Sequence, residues 1–120
     1  MAAKVVHFEI GCRNVEKNKE FYKTLLGWEM QSYGPTSAMV MNTAGDKSIG
    51  GHLNQLGHEP HNYTIFYIMV DDVAGALSKA ESLGGKKLVG PIPLPNNTLF
   101  GWFADPEGNT IGVYSENKTA

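Results

Sequence analysis

The sequence predicts an α+β fold built from two βαβββ modules in tandem, and three observations carry that reading. Shifting the chain by 58 residues lays one half over the other, so that Phe8 meets Phe66, Ile10 meets Ile68 and Val15 meets Val73. In each half an extended apolar run gives way to apolar residues spaced three to four apart, the pattern of a strand followed by a helix. Each half then closes with two strand-like runs separated by turn residues. The modules span about 4–53 and 63–116, joined by a polar linker at about 54–62.

The first strand runs through His7-Phe-Glu-Ile and ends at Asn14, whose side chain is placed to accept from the free N–H groups of a first helical turn. A helix follows with Val15, Phe21, Tyr22, Leu25 and Leu26 at helical spacing, and Gly27 ends it, since glycine adopts the left-handed conformation at little cost. Gly45-Asp46 then separates Ala38-Met-Val-Met-Asn42 from Ser48-Ile-Gly-Gly-His52 as a hairpin. The second module repeats the order. Ile65-Phe-Tyr-Ile precedes the cap Asp72, a helix carries Val73, Ala76, Leu77, Ala80 and Leu83, and Gly84-Gly85 closes it. Asp105-Pro-Glu-Gly108 separates Leu99–Phe103 from Thr110–Tyr114. Between helix and hairpin, Pro91-Ile-Pro-Leu-Pro-Asn-Asn97 reads as a loop at the rim of a site, because prolines at alternate positions pair poorly in a sheet.

The 120 residues, 42% of them hydrophobic, suffice for one domain with a core and are too few for two. Ten Lys and Arg against 12 Asp and Glu give a net charge of -2, which leaves no broad basic face for nucleic acid. No apolar run approaches the roughly 20 residues that cross a bilayer, and the first residues lack the apolar core of a secretion signal. The expectation is a cytoplasmic protein, in agreement with a single cysteine, Cys12, read as an ordinary buried or half-buried thiol.

The tandem modules, Phe21-Tyr22 followed by Leu26-Gly27-Trp28, and Val70-Asp-Asp-Val73 with Leu83-Gly-Gly85 and Asp105-Pro-Glu-Gly108 together resemble the vicinal oxygen chelate superfamily, which includes glyoxalase I, bleomycin-resistance proteins and extradiol dioxygenases. The likeness runs from about Val5 to Tyr114. It implies a curved, barrel-like eight-stranded mixed sheet with helices outside and a ligand cavity within, and a homodimer, with the modules closing a cavity in one chain or between two. Metal-dependent members place ligands at four positions that fall here on His7, Gly50, Ile65 and Gly112. Of these only His7 has a donor atom, whereas a catalytic metal needs about three protein ligands. The resemblance therefore implies a member without the usual metal site, and no cofactor is expected. A Pro-Gly-x-Gly-Arg stretch common in such members is replaced by Pro95-Asn-Asn-Thr-Leu99, so an anionic ligand recognised by that arginine is not expected either.

Strand alternation puts Val5, His7 and Glu9 on one face, and Gly50 and His52 on one face of another strand. With His7 inward, the second module presents Ile65, Tyr67 and Met69 to the interior, while Val6, Phe8, Ile10, Phe66, Ile68 and Val70 pack under the helices. Gly112 and Tyr114 join the cavity and Trp102 faces either way. The expected ligand is a small hydrophobic or aromatic molecule, with glycines at 50 and 112 leaving space where relatives insert ligands. His7 and Glu9 form the one titratable pair inside, suited to proton transfer or to a structural contact. His58 and His61 belong to the solvated linker. The competing readings are a metal-dependent lyase, isomerase or dioxygenase with a site rebuilt from His7, His52 and Glu9, and a ligand-free subunit whose cavity is filled by its own side chains.

Overall fold

The structure, a computed structural model, describes residues 2–41 and 49–116. Its element order is β1 (Val5–Gly11), α1 (Val15–Leu26), β2 (Met30–Ser32), β3 (Ser37–Val40), β4 (Gly50–Asn54), β5 (Thr64–Met69), α2 (Val73–Ser82), β6 (Lys86–Leu94), β7 (Thr98–Ala104) and β8 (Thr110–Glu116). The βαβββ order thus occurs twice, in an α+β fold of eight strands and two helices among the described residues. Gly45-Asp46, the expected turn before β4, lies outside the described residues. No helix among the described residues is long and apolar enough to cross a membrane.

The chain forms two compact units, one of His7–Ile65 and one of the described residues of Met1–Val6 and Phe66–Ala120. In the first the strand order is β2-β3-β4-β1, and in the second it is β5-β8-β7-β6. The strands of both units, which belong to one eight-stranded mixed sheet, pair in the same way. The parallel pairs are β1 with β4 and β5 with β8, and the remaining pairs are antiparallel. The Lys4 carbonyl accepts from the Met69 N–H at 2.9 Å, which groups the amino-terminal residues with the second unit.

Both helices begin where the sequence placed their caps. The Asn14 side chain accepts from the Lys17 N–H at 3.0 Å and the Asp72 side chain from the Gly75 N–H at 3.1 Å, each satisfying a donor that has no partner within the helix. Gly27 ends α1 at φ 73°, the left-handed conformation that a side chain disfavours. Val15 of α1 packs with Cys12, Ala38 and Leu53, flanked by Ile10, Tyr22 and Met30; Val73 and Leu77 of α2 pack with Val113, flanked by Val70, Leu99 and Phe103. Ile10 and Val70 thus face the helices, as alternation required. Other apolar positions do not bury. Phe21, Leu25 and Leu26 of α1 are more than half exposed, and Phe66 is also exposed, so helical spacing located α1 without locating its buried face.

The proline segment corrects the reading of a loop. Residues 91–94 continue β6, with Ile92 opposite Phe100, Pro93 opposite Leu99 and Leu94 opposite Thr98. β6 ends the strand order of its unit and breaks register between Val89 and Ile92, the edge and bulge positions where a residue without an N–H is tolerated. The hairpin turns through Asn96 and Asn97, both with positive φ near 60°, a conformation asparagine accepts more readily than most residues.

Candidate functional site

Parallel pairing of β1 with β4 sets His7 opposite Gly50 and Glu9 opposite His52. Because alternate residues share a face, His7, Glu9, His52 and Asn54 come together on the side away from α1. His7 Nε2 and His52 Nδ1 are 2.7 Å apart, a hydrogen bond between rings. His52 Nε2 faces Glu9 Oε1 at 3.5 Å. The other carboxylate oxygen accepts from the Tyr63 hydroxyl in a short hydrogen bond and from Asn54 Nδ2 at 3.1 Å, while Asn54 Oδ1 accepts from the Ser37 hydroxyl at 3.3 Å. Glu9 is 4% exposed, so these donors replace the water that a buried carboxylate would otherwise lose.

Gly11 makes the Tyr63 contact geometrically available. The Tyr63 ring lies where a Cβ on residue 11 would stand, 2.2 Å from its Cε2, and the Gly11 N–H donates to the Tyr63 carbonyl at 2.8 Å. Any larger residue at 11 would push the ring away and pull its hydroxyl from Glu9.

Burial dominates the electrostatics. The His7 pKa falls to about 4, first through burial and then through the neighbouring His52, with Glu9 opposing. His52 is lowered in the same direction by burial, again against Glu9. Both rings are therefore neutral at pH 7. Burial, reinforced by Glu9, pushes the Tyr63 hydroxyl well above its ordinary range, so it remains a donor. A proton on the His52 Nε2 that faces the carboxylate would leave its Nδ1 to accept from His7 Nε2.

The three side chains of the expected rebuilt metal site are thus brought together, but as a hydrogen-bonded chain. Two ring nitrogens bound to one zinc at about 2.0–2.1 Å and tetrahedral angles stand roughly 3.3 Å apart. At 2.7 Å His7 and His52 are bonded to each other, and the set as arranged does not fit an ion between them. Among the described residues no group of three or more His, Cys, Asp or Glu is disposed to hold a metal.

In the second unit β5 and β8 set Tyr67 opposite Gly112 and Met69 opposite Tyr114. The corresponding ladder ends, Cys12 N–H to the Asn54 carbonyl at 3.0 Å and Val70 N–H to the Tyr114 carbonyl at 2.9 Å, put the two units in common register. Glu9 opposite His52 then corresponds to Tyr67 opposite Gly112, so the counterpart of Gly112 is His52 and not Gly50. Trp102 settles on the Tyr67 side, its Nε1–H donating to the Tyr67 hydroxyl at 2.7 Å, and Phe100 meets the Tyr67 ring edge-on at 6.2 Å. The expected space at Gly112 is not there. A Cβ on residue 112 would stand 2.4 Å from Tyr67 Cδ1, so the glycine accommodates the protein's own ring. At Gly50, by contrast, His7 Nδ1, at 4.0 Å, is the one atom among the described residues that a Cβ would meet. Ile65 is buried at 2% exposure and has an apolar side chain with no donor to offer.

Sequence reasoning missed Asn54 and Tyr63. Asn54 falls at the start of the expected linker, yet it continues the alternation of Gly50 and His52, a signal that places it on the Glu9 face. Tyr63 carried no such signal, because its role depends on a long-range approach to Gly11. His58 and His61 remain in the linker segment, where His58 Nδ1 lies 2.9 Å from the Glu59 carbonyl oxygen and His61 Nε2 is 3.7 Å from the Glu59 carboxylate.

A sequence model of the Glyoxalase/Bleomycin resistance protein/Dioxygenase superfamily matches residues 4–113. The chain belongs to that superfamily. A glyoxylase-like domain-containing protein of Didymella fabae is 35% identical over 112 residues, covering 88% of each chain. Among solved structures, a methylmalonyl-CoA epimerase of Streptomyces coelicolor in complex with 2-nitronate-propionyl-CoA aligns with TM-score 0.67 at 14% identity, covering 99% of this chain and 98% of that one. A Mn(II)-bound glyoxalase of Novosphingobium aromaticivorans aligns with TM-score 0.62 at 18% identity, covering 96% of this chain and 38% of the other. At such identities these two likenesses speak for the superfamily fold.

Proposed function

We propose that this superfamily member binds a small, largely hydrophobic or aromatic molecule without a metal, seating it over Gly50 against His7. The observation that carries the reading is the 2.7 Å bond between His7 and His52, which engages ring nitrogens that a metal would need. Gly50 supplies room beside His7, whereas Tyr67 fills the room at Gly112. That contrast favours the first unit as the ligand side. A homodimer, expected from the family resemblance, is part of the same proposal.

The test begins with elemental analysis of protein purified without added metal, followed by ligand-observed magnetic resonance against small aromatic compounds in the presence of chelator. Binding that persists with chelator, and is weakened at least tenfold by Gly50→Phe in a protein still folded by circular dichroism, is the expected result. Near-stoichiometric zinc, manganese, nickel or iron that disappears in His7→Ala would overturn the metal-free reading in favour of a metal-dependent lyase, isomerase or dioxygenase. Sedimentation tests the dimer against a single 13.1 kDa chain.

A further inference from the structure

β6 ends the strand order, with β7 on one side and no strand among the described residues on the other. At nine residues it is the longest strand of its unit, and it carries three exposed apolar side chains, Leu88 at 43%, Ile92 at 38% and Leu94 at 40%. A long apolar edge with outward N–H and C=O groups is a template for another strand, and every second copy of the chain brings the same edge. The opposite end of the strand order, β2, has only three residues and offers little to pair with. Length gives β6 no such protection.

Its prolines do. In an antiparallel ladder, opposed residues alternate between pairs that exchange both N–H···O bonds and pairs whose N–H and C=O groups point away from each other. Pro93, opposite Leu99, has no N–H to exchange and so belongs to the second kind. Its neighbours, Ile92 opposite Phe100 and Leu94 opposite Thr98, then belong to the first, and their N–H groups are engaged by β7. On the outer side Pro93 presents a carbonyl alone, and Pro91 adds no donor. Toward the other end the ladder breaks register twice between Lys87 and Ile92, with Gly90 so close to β7 that a Cβ there would stand 2.6 Å from the Phe100 carbonyl oxygen. Such a break bends an edge away from regular pairing, and the exposed Lys86 and Lys87 charge what remains of it. A strand laid along β6 would bury its own carbonyls against proline rings that offer them no donor. We infer that β6 is an edge closed to strand addition: Pro91 and Pro93 keep it from pairing with the β6 of a second copy, although Leu88, Ile92 and Leu94 leave it apolar. The homodimer proposed above then uses another surface.

Amide hydrogen exchange and sedimentation test this together. In the unmodified protein the Ile92 and Leu94 amides should be protected, because β7 holds them. Pro93→Val restores one donor on the outer side, and Pro91→Val/Pro93→Val removes both prolines. As concentration rises, each variant is expected to associate beyond the state of the unmodified protein, reaching a weight-average mass roughly twofold greater or more, with the new residue 93 amide exposed in dilute protein and protected in the associated form. Should the double variant fail to fold, the single variant decides. Rapid exchange at Ile92 and Leu94 in the unmodified protein overturns the assignment of sides without any variant. A Pro93→Val protein that is folded by circular dichroism and sediments like the unmodified one overturns the inference, and so does association that leaves the residue 93 amide exposed, since another surface would then be responsible.

Discussion

The two units share strand order and register, yet the same ladder position holds different chemistry in each. In the first, Glu9 opposite His52 anchors a polar chain reaching from Tyr63 to His7; in the second, Tyr67 opposite Gly112 forms an aromatic pair with Trp102. The backbone is common, and the side-chain volume across from the central strand decides the outcome. A histidine at 52 takes part in a hydrogen-bonded chain, and among the described residues Gly50 keeps space beside His7, whereas a glycine at 112 makes room for the facing tyrosine ring. The difference shows how a repeated fold can hold a charged, polar chain in one copy and an aromatic pair in the other with the same strand order.

The strongest way to break the comparison is to remove Glu9. Glu9→Ala removes the carboxylate that the Tyr63 hydroxyl, the Asn54 amide and His52 Nε2 face, and a loss of about 3 kcal/mol in unfolding free energy is expected in urea titration. A loss below about 1 kcal/mol would mean that the chain is not the structural centre of the first unit.

The glycines give a paired test of somewhat smaller effect. Gly112→Ala drives a methyl group against the Tyr67 ring and should cost about 2 kcal/mol, whereas Gly50→Ala meets no described atom closer than 4.0 Å and should change stability by less than about 0.5 kcal/mol. Equal effects at the two positions would erase the contrast on which the ligand side was chosen.

Next comes Tyr67→Phe, which keeps the ring over Gly112 and leaves the buried Trp102 Nε1–H without that acceptor. About 1–2 kcal/mol should be lost, accompanied by a change in tryptophan emission, and unchanged emission would argue against the bond.

The smallest expected effect is a response to pH. Between about 6.5 and about 4 the unfolded chain binds a proton at residue 7 that the folded protein resists, so stability falls as pH drops through that window and is fully present above it. His52 acts in the same direction. Urea midpoints measured from pH 7.5 to 4.5 should decline in the unmodified protein and decline less in His7→Gln; parallel declines would remove His7 as a cause.

Local signals made the fold legible. Asn14 and Asp72 mark helix starts through a side-chain oxygen within reach of their own backbone, Gly27 marks a helix end through its own φ, and alternation gave the faces of His7, Glu9, Ile10 and His52. Where burial depends on distant partners, the same reasoning failed. Phe21 and Leu25 sit at helical spacing and remain exposed, and the prolines of 91–94 belong to a strand because that strand lies at the end of its sheet.

The candidate site divides along the same line. Residue order alone determined the two βαβββ modules, the helix caps and the shared face of His7 and Glu9, since strand and helix periods are properties of neighbouring backbone. Tertiary structure alone decided that His7 bonds to His52, that Tyr63 reaches Glu9 across the bare backbone of Gly11, and that Tyr67 fills the place at Gly112. Each of those outcomes joins residues more than 40 positions apart, and such contacts follow from strand pairing and ring volume that no stretch of sequence contains.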